Sequence, residues 1–246
     1  MPYDFSAPRL YLDAGLDAGR DIVLSPEQSN YLRNVLRLGA GDAVLVFNGR
    51  DGEWRADISE AGKKKTVLTA RERVRTQTPP ADLWYLFAPL KHARLDYMVQ
   101  KAVEMGASRL QPVMTRRTQA ARVNTGRMRA NAVEAAEQCG ILSLPDIAEP
   151  QPLAKLLDTW PDNRRLIFCD EGAEASGPLA ALGKLPRGPL AVLIGPEGGF
   201  DEAERAGLLK RPFVTAISLG PRILRADTAA VAALALVQAA LGDLNS

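Results

Sequence analysis

Leu190-Ala191-Val192-Leu193-Ile194-Gly195-Pro196-Glu197-Gly198-Gly199-Phe200 is an apolar run that passes straight into a glycine-proline loop. The pattern returns at Phe213 to Ser218, which is followed by Leu219-Gly220-Pro221-Arg222. Short apolar runs with β-branched content read as strands buried on both faces, as in a parallel sheet. Helical patterns follow both loops, and in open α/β sheets ligands bind just beyond the strand ends. Glycine tolerates positive φ and close backbone approach, and proline fixes φ. The two loops can therefore present bare N–H and C=O groups to a flat, largely uncharged ligand. A plain strand-to-helix turn would use the same residues, but two such loops in one half of the chain point to a pocket.

Phosphate-binding alternatives fail on the letters. No G-x-x-x-x-G-K-[ST] string occurs, and Gly195 to Gly199 does not give G-x-G-x-x-G. Neither a P-loop nor a dinucleotide fingerprint is present.

Upstream, strand and helix patterns alternate. Leu83 to Phe87 reads as a strand, Leu95 to Glu104 as a helix, Leu110 to Met114 as a strand and Arg127 to Cys139 as a helix, the order expected of a parallel sheet. Leu95, Met98, Val99, Ala102 and Val103 form an apolar stripe that Gly106 would end. Arg94, Tyr97 and Lys101 fall on another face, a mixture suited to phosphates and a stacked base. Thr228 to Leu241 is so rich in alanine and leucine that it must be buried on nearly all sides, by the sheet or by a second subunit.

A different pattern precedes Thr76. Ile22 to Leu24, Ala43 to Phe47, Trp54 to Ile58 and Thr66 to Thr69 read as strands, with Asn48-Gly49-Arg50-Asp51-Gly52 as a hairpin signal. Ser25, Pro26 and Gln28 open one helix as N-cap, first position and capping-box partner. Arg33 and Arg37 lie four apart near its end. They either share a face towards RNA phosphates or satisfy the helix's last carbonyls. Lys63-Lys64-Lys65 reads as a solvated loop. Thr76-Gln77-Thr78-Pro79-Pro80 is a proline-stiffened linker. The expected organisation is therefore a small β-rich domain over 1–75, a linker at about 76–82 and an α/β domain over the rest of 76–246.

With 246 residues and 46% apolar content, two modest cores are affordable. Net charge is +2, but segments 1–75, 76–130 and 131–246 carry +1, +6 and −5. A basic excess within the middle segment is the footprint of a phosphate-binding face, although solvated faces also collect cations. No apolar stretch reaches membrane-spanning length and the start of the chain has no leader pattern, so a soluble, cytoplasmic protein is expected. Cys139 and Cys169, with His92 as the single histidine, suggest neither a metal site nor a disulfide. Both cysteines are expected to be reduced and buried, and His92 to be a surface or capping residue.

The strings Ile194-Gly195-Pro196-Glu197-Gly198-Gly199-Phe200 and Leu219-Gly220-Pro221-Arg222-Ile223-Leu224-Arg225-Ala226-Asp227-Thr228-Ala229 resemble the two signatures of the bacterial 16S rRNA uridine-N3 methyltransferases, the RsmE family of the SPOUT superfamily. The resemblance extends through Lys91 to Gly106, Glu134 to Gln138 and Tyr31 to Asp42. It implies a PUA-like RNA-binding β-barrel followed by an α/β SPOUT domain with a trefoil knot. It also implies S-adenosylmethionine as cofactor, a homodimer, and a uridine near the 3′ end of 16S rRNA in the small subunit as target. Where the family often has histidine, arginine and glutamate, this chain has Asn30, Ile141 and Asp227.

On that resemblance, Leu193, Ile194, Gly195, Pro196, Glu197, Gly198, Leu219, Gly220, Ile223, Leu224 and Thr228 would hold the cofactor. Arg225 and Glu197 would serve catalysis, Arg225 by stabilising a uracil oxygen. Arg33, Arg37, Lys91, Arg94 and Lys101 would meet RNA, with Arg116 and Arg117 added from their place after the Leu110 to Met114 strand. Glu197 is not needed as a helix cap, because Asp201 and Glu204 already form a capping box. Ribose 2′-O-methylation and a non-catalytic rRNA-binding assembly role are the alternatives.

Overall fold

The computed structural model describes residues 7–62, 65–91, 93–120, 122–173 and 177–245. Lys63, Lys64 and His92 lie outside the described residues. The chain divides into two compact units, Met1–Pro79 with Ala136–Leu144, and Pro80–Ala135 with Pro145–Ser246.

In the first unit the elements are β1 (Arg9–Tyr11), β2 (Asp21–Val23), α1 (Pro26–Asn30), a π turn (Tyr31–Val35), β3 (Ala43–Phe47), β4 (Glu53–Ala61) and β5 (Thr66–Arg75). They form one sheet of order β1-β3-β4-β5-β2. Three register shifts between β4 and β5 bend and twist the pair, as bulges do. Leu10, Ile22, Leu32, Val44, Val46, Ile58 and Leu68 make the core. Asn48 builds the β3–β4 turn: its Oδ1 accepts the N–H groups of Arg50 and Asp51 at 2.9 and 2.8 Å. The end of α3 and the segment after it belong to this unit through Glu137, which accepts the Tyr11 N–H at 2.8 Å, and Gly140, whose carbonyl accepts from Arg75 at 2.7 Å.

Ser25 caps α1 through the expected box with Gln28. The helix then widens into the π turn, and Arg37 follows with φ 60°. Arg33 and Arg37 therefore share no helical face. The Arg33 guanidinium donates to the Gly62 carbonyl at 2.7 Å instead. Lys65 pairs with Glu60 at 3.5 Å.

The second unit holds β6 (Leu83–Phe87), α2 (Ala93–Glu104), β7 (Arg109–Met114), α3 (Thr125–Cys139, whose end falls in the first unit), β8 (Asp146–Ile147), β9 (Gln151–Pro152), α4 (Leu153–Asp158), β10 (Arg165–Cys169), α5 (Pro178–Leu182), β11 (Leu190–Ile194), α6 (Glu202–Leu209), β12 (Val214–Ile217) and α7 (Ala226–Leu241). The main strand order is β12-β10-β11-β6-β7-β8, and every pair is parallel. Leu86, Val113, Leu166, Phe168, Ala191 and Leu193 anchor its core. β11 is buried at every residue, as its unbroken apolar run requires.

α2 buries Met98, Val99, Ala102 and Val103, the stripe read from its spacing. Gly106 ends it with φ 77°. A Cβ there would stand 2.5 Å from the Gln238 amide, which donates to the Met105 carbonyl at 2.8 Å. α7 buries Ala230, Ala233, Leu234, Val237 and Leu241. Val231, Ala232, Ala235 and Leu236 stay partly exposed, so α7 is covered along one face rather than all round. Within the chain, α7 packs on α2, α5 and β11.

Candidate active site at the ends of three adjacent strands

β12, β10 and β11 are neighbours in the sheet, and the loops that leave their C-terminal ends line one cleft of about 1170 Å³. That volume suits a small-molecule cofactor. The β11 loop supplies Ile194, Gly195, Pro196, Glu197, Gly199 and Phe200. The β12 loop supplies Ser218 through Ala226, and the β10 loop supplies Cys169 through Ala173.

Each loop has a local physical cause. In the β11 loop, Gly199 donates to the Pro196 carbonyl at 2.9 Å with φ 68°, closing a tight turn. A Cβ on Gly195 would stand 2.5 Å from the Phe200 ring, which packs edge-on against Phe168 at 5.1 Å. Glycine at 195 is thus demanded by an aromatic of the protein itself. In the β12 loop, Gly220 has φ 103° and donates to the Ser218 hydroxyl at 3.3 Å. Ile223 beyond it is 91% exposed, an apolar side chain held at the cleft in water.

The β10 loop was missed by the sequence reading. Its carboxylate Asp170 is buried and accepts both from Arg205 of α6, Nε lying 3.0 Å from each oxygen, and from the Gly172 N–H at 3.1 Å. Arg205 also donates to the Gly172 carbonyl at 3.2 Å. A buried carboxylate needs such a partner, and Asp170 in turn raises the Arg205 pKa by accepting its hydrogen bonds. The available signal was Leu166-Ile167-Phe168-Cys169 running into Asp170-Glu171-Gly172, the same strand-then-loop pattern as at β11.

Of the cofactor candidates, Ile194, Gly195, Pro196, Glu197, Leu219, Gly220, Ile223 and Leu224 line the cleft. Leu193, Gly198 and Thr228 do not. Leu193 is buried inside β11 and registered between Phe168 and Leu86. The Gly198 carbonyl faces Arg117, and Thr228 is exposed on the first turn of α7 with its N–H on Asp227. Arg225 lines the cleft and is exposed, occupying the N-cap position of α7 without capping through its side chain.

Arg94 is the one RNA candidate in the cleft lining, and it is ion-paired with Glu197. Arg116 pairs with Asp201 at 3.0 Å, and Arg117 donates to the Gly198 carbonyl at 2.8 Å. Lys101 pairs with Glu104 on its own helix at 2.7 Å and lies over the Tyr97 ring, and Lys91 is exposed. Arg109 and Arg127 pair with Asp146 and Asp96. Much of the basic excess of segment 76–130 is therefore matched by carboxylates, several of them from the acidic C-terminal segment.

The donor set fits S-adenosylmethionine. Backbone edges at the two glycine loops and the apolar Ile223 and Leu224 suit a flat base, while Glu171 and Glu197 suit a cationic ligand. Tyr85 is no base for this cleft: it is fully buried, its hydroxyl donates to the Met98 sulfur at 2.9 Å, and burial pushes its pKa well up. Among the described residues no cluster could hold a metal ion, and no helix is long and apolar enough to cross a membrane.

The cysteines differ from expectation. Cys139, the last residue of α3, is exposed, and Cys169 is partly exposed at the cleft. Burial pushes the Cys169 thiol up to about 12, so its reactive thiolate gains population only as pH climbs towards that value. At pH 8, iodoacetamide should label Cys139 first, and Cys169 labelling should rise about tenfold per pH unit. Equal rates at pH 8, read by peptide mass mapping, would contradict this assignment.

A family model described as an RNA methyltransferase domain matches residues 77–238, and one described as an RNA methyltransferase PUA domain matches residues 24–69. The chain is 30% identical over 232 residues to the ribosomal RNA small subunit methyltransferase E of Rickettsia conorii, covering 94% of each chain. Among solved structures, that of a ribosomal RNA small subunit methyltransferase E from Neisseria gonorrhoeae bound to S-adenosyl methionine matches with a TM-score of 0.84. The identity is 26%, over 96% of this chain and 98% of that one. A chain from Legionella pneumophila in complex with bound SAM matches with a TM-score of 0.82 at 28% identity, over 96% and 99%.

Proposed function

Because this chain belongs to the ribosomal RNA small subunit methyltransferase E family, RNA methyltransferases that carry a PUA domain, we propose that it methylates N3 of a uridine near the 3′ end of 16S rRNA. It is an S-adenosylmethionine-dependent rRNA methyltransferase of the SPOUT fold. The observation that carries the finer reading is the convergence of Glu197 and Arg225 on the cleft at the ends of β12, β10 and β11.

The bound cofactor supplies a methyl group on a sulfonium. In this reading the chain's own residues do the rest. Backbone at Ile194, Gly195, Leu219 and Gly220 holds the adenosine, with Ile223 and Leu224 against it. Glu197 balances the sulfonium charge. Arg225 donates to a uracil carbonyl oxygen and stabilises the negative charge that grows as the N3 proton leaves to solvent water and the methyl passes from sulfur to N3. Extruding the base from its stack costs a few kcal/mol, which contacts to phosphates offset. Arg33, Arg37, Lys91, Arg94 and Lys101 are assigned to those contacts, while Arg116 and Arg117 hold the loop at Gly198 and Asp201. The reading includes a barrel domain over about 1–75 that contacts RNA, the trefoil knot, a homodimer that covers the partly exposed face of α7, and a cytoplasmic location.

The test is transfer of labelled methyl from S-adenosylmethionine to unmodified small ribosomal subunits and to free 16S rRNA, with nucleoside identification. N3-methyluridine is the expected product. A 2′-O-methylated nucleoside, or no incorporation despite cofactor binding, would overturn the reading.

A further inference from the structure

Three arginines from two separate elements converge on one loop. Arg94, on α2, pairs with Glu197. Arg117, after β7, donates to the Gly198 carbonyl at 2.8 Å. Arg116 beside it pairs with Asp201 at 3.0 Å, while its backbone N–H donates to Glu204 at 2.9 Å. The stretch from Glu197 to Asp201 is thus held by three guanidinium groups, of which Arg94 shares the cleft lining with Glu197, Gly199 and Phe200 while Arg116 and Arg117 stand outside it.

The three contacts differ in what they do locally. Asp201 and Glu204 already form the capping box of α6, so Arg116 reinforces a fixed helix start. Arg117 holds a backbone carbonyl. Glu197 has no such structural duty, and its pair with Arg94 joins side chains that are 43% and 42% exposed. An ion pair open to water is weak. A guanidinium binds phosphate in the same forked geometry as carboxylate, so a phosphate can take the place of Glu197.

We propose that Arg94 is a positioning residue that exchanges Glu197 for a phosphate of the bound RNA, releasing the Glu197 carboxylate to the sulfonium side of the cleft. Arg116 and Arg117 keep the rest of the loop in place during the exchange. RNA engagement thereby strengthens the preference for the cationic cofactor over its neutral product, S-adenosylhomocysteine. This rests on the proposed cofactor role of the cleft.

Calorimetric titration of the full-length protein with S-adenosylmethionine and with S-adenosylhomocysteine, each without RNA, isolates the effect from turnover. Arg94→Met removes the guanidinium but keeps the chain length. It should raise the ratio of the two dissociation constants in favour of S-adenosylmethionine by about three- to fivefold, the worth of an exposed charge pair. Glu197→Gln should cancel that rise when combined with Arg94→Met. Small ribosomal subunits already carrying the methyl group should raise the ratio in the wild type and leave it unchanged in Arg94→Met. A ratio that stays within twofold of wild type in Arg94→Met, or affinities for both ligands that fall together, would overturn the exchange. Methylation of rRNA with an unmoved ratio would reject the exchange alone; failure to bind either ligand would reject the cofactor assignment itself.

Discussion

Replacing Arg225 with alanine is expected to slow methyl transfer by about 10²–10³-fold while leaving S-adenosylmethionine affinity and fold stability near their wild-type values. The side chain is exposed at the cleft and makes no cap hydrogen bond. What holds the start of α7 is backbone: the Arg225 carbonyl accepts the Ala229 N–H at 2.7 Å, whatever side chain sits above it. Truncation therefore removes charge without removing structure, and a surface change of this kind typically moves stability by less than about 0.5 kcal/mol. In the ground state the uracil imide is neutral, so the guanidinium gains most as negative charge develops. An interaction made chiefly in the transition state lowers kcat rather than raising KM. Single-turnover transfer to unmodified small subunits, paired with calorimetric cofactor titration, reads both quantities. Arg225→Lys should recover part of the rate, since it restores charge but not the fork. Ordinary turnover in Arg225→Ala, or a loss confined to cofactor affinity, would remove Arg225 from the chemistry.

What could be read from the sequence follows the range of the forces involved. β11 was legible because a strand buried on both faces must be apolar throughout, and its loop because Gly195, Pro196 and Gly199 restrict the backbone locally. The α2 stripe was legible because burial of one face imposes its own period. Asp170 was not, because Asp-Glu-Gly after an apolar run looks like solvated loop until Arg205, 35 residues later, arrives to pair with it. The same limit applied to the arginines. Counting charge along 76–130 suggested an open basic face, whereas Arg94 and Arg116 meet Glu197 and Asp201 across 103 and 85 residues. The shared face read for Arg33 and Arg37 was lost for a different reason. A spacing of four places residues on one face only if the helix stays α, and here the π turn and the positive φ of Arg37 break the period. Cys139 continues the spacing of Met128, Ala132, Ala135 and Ala136, but it is the last residue of α3 and lies exposed.

In the first unit the largest expected effect comes from Glu53, whose side chain is fully buried. Its Oε1 accepts from Arg9 at 3.2 Å and from Arg75 at 3.1 Å, and its Oε2 accepts from the Arg75 Nε at 2.8 Å. Arg9 is itself buried on β1, so deleting the carboxylate removes a counter-charge from a cation held away from water. Glu53→Ala should destabilise this unit by about 3–5 kcal/mol, the usual cost of breaking a buried pair by removing one partner. It should also loosen Arg75, which carries the Gly140 carbonyl and so ties the segment after α3 to the sheet. Urea unfolding followed through Trp54, next in sequence to Glu53, is the direct measurement, with the midpoint falling and the slope kept. A loss below about 1 kcal/mol would mean that Arg9 is not desolvated in solution. The decisive comparison adds Arg9→Met to Glu53→Leu. Removing both charges spares the desolvation cost of each, so this double variant should recover most of the stability that Glu53→Ala loses. If it is as unstable as the single variant, the cost lies in packing at position 53 and not in the lost counter-charge.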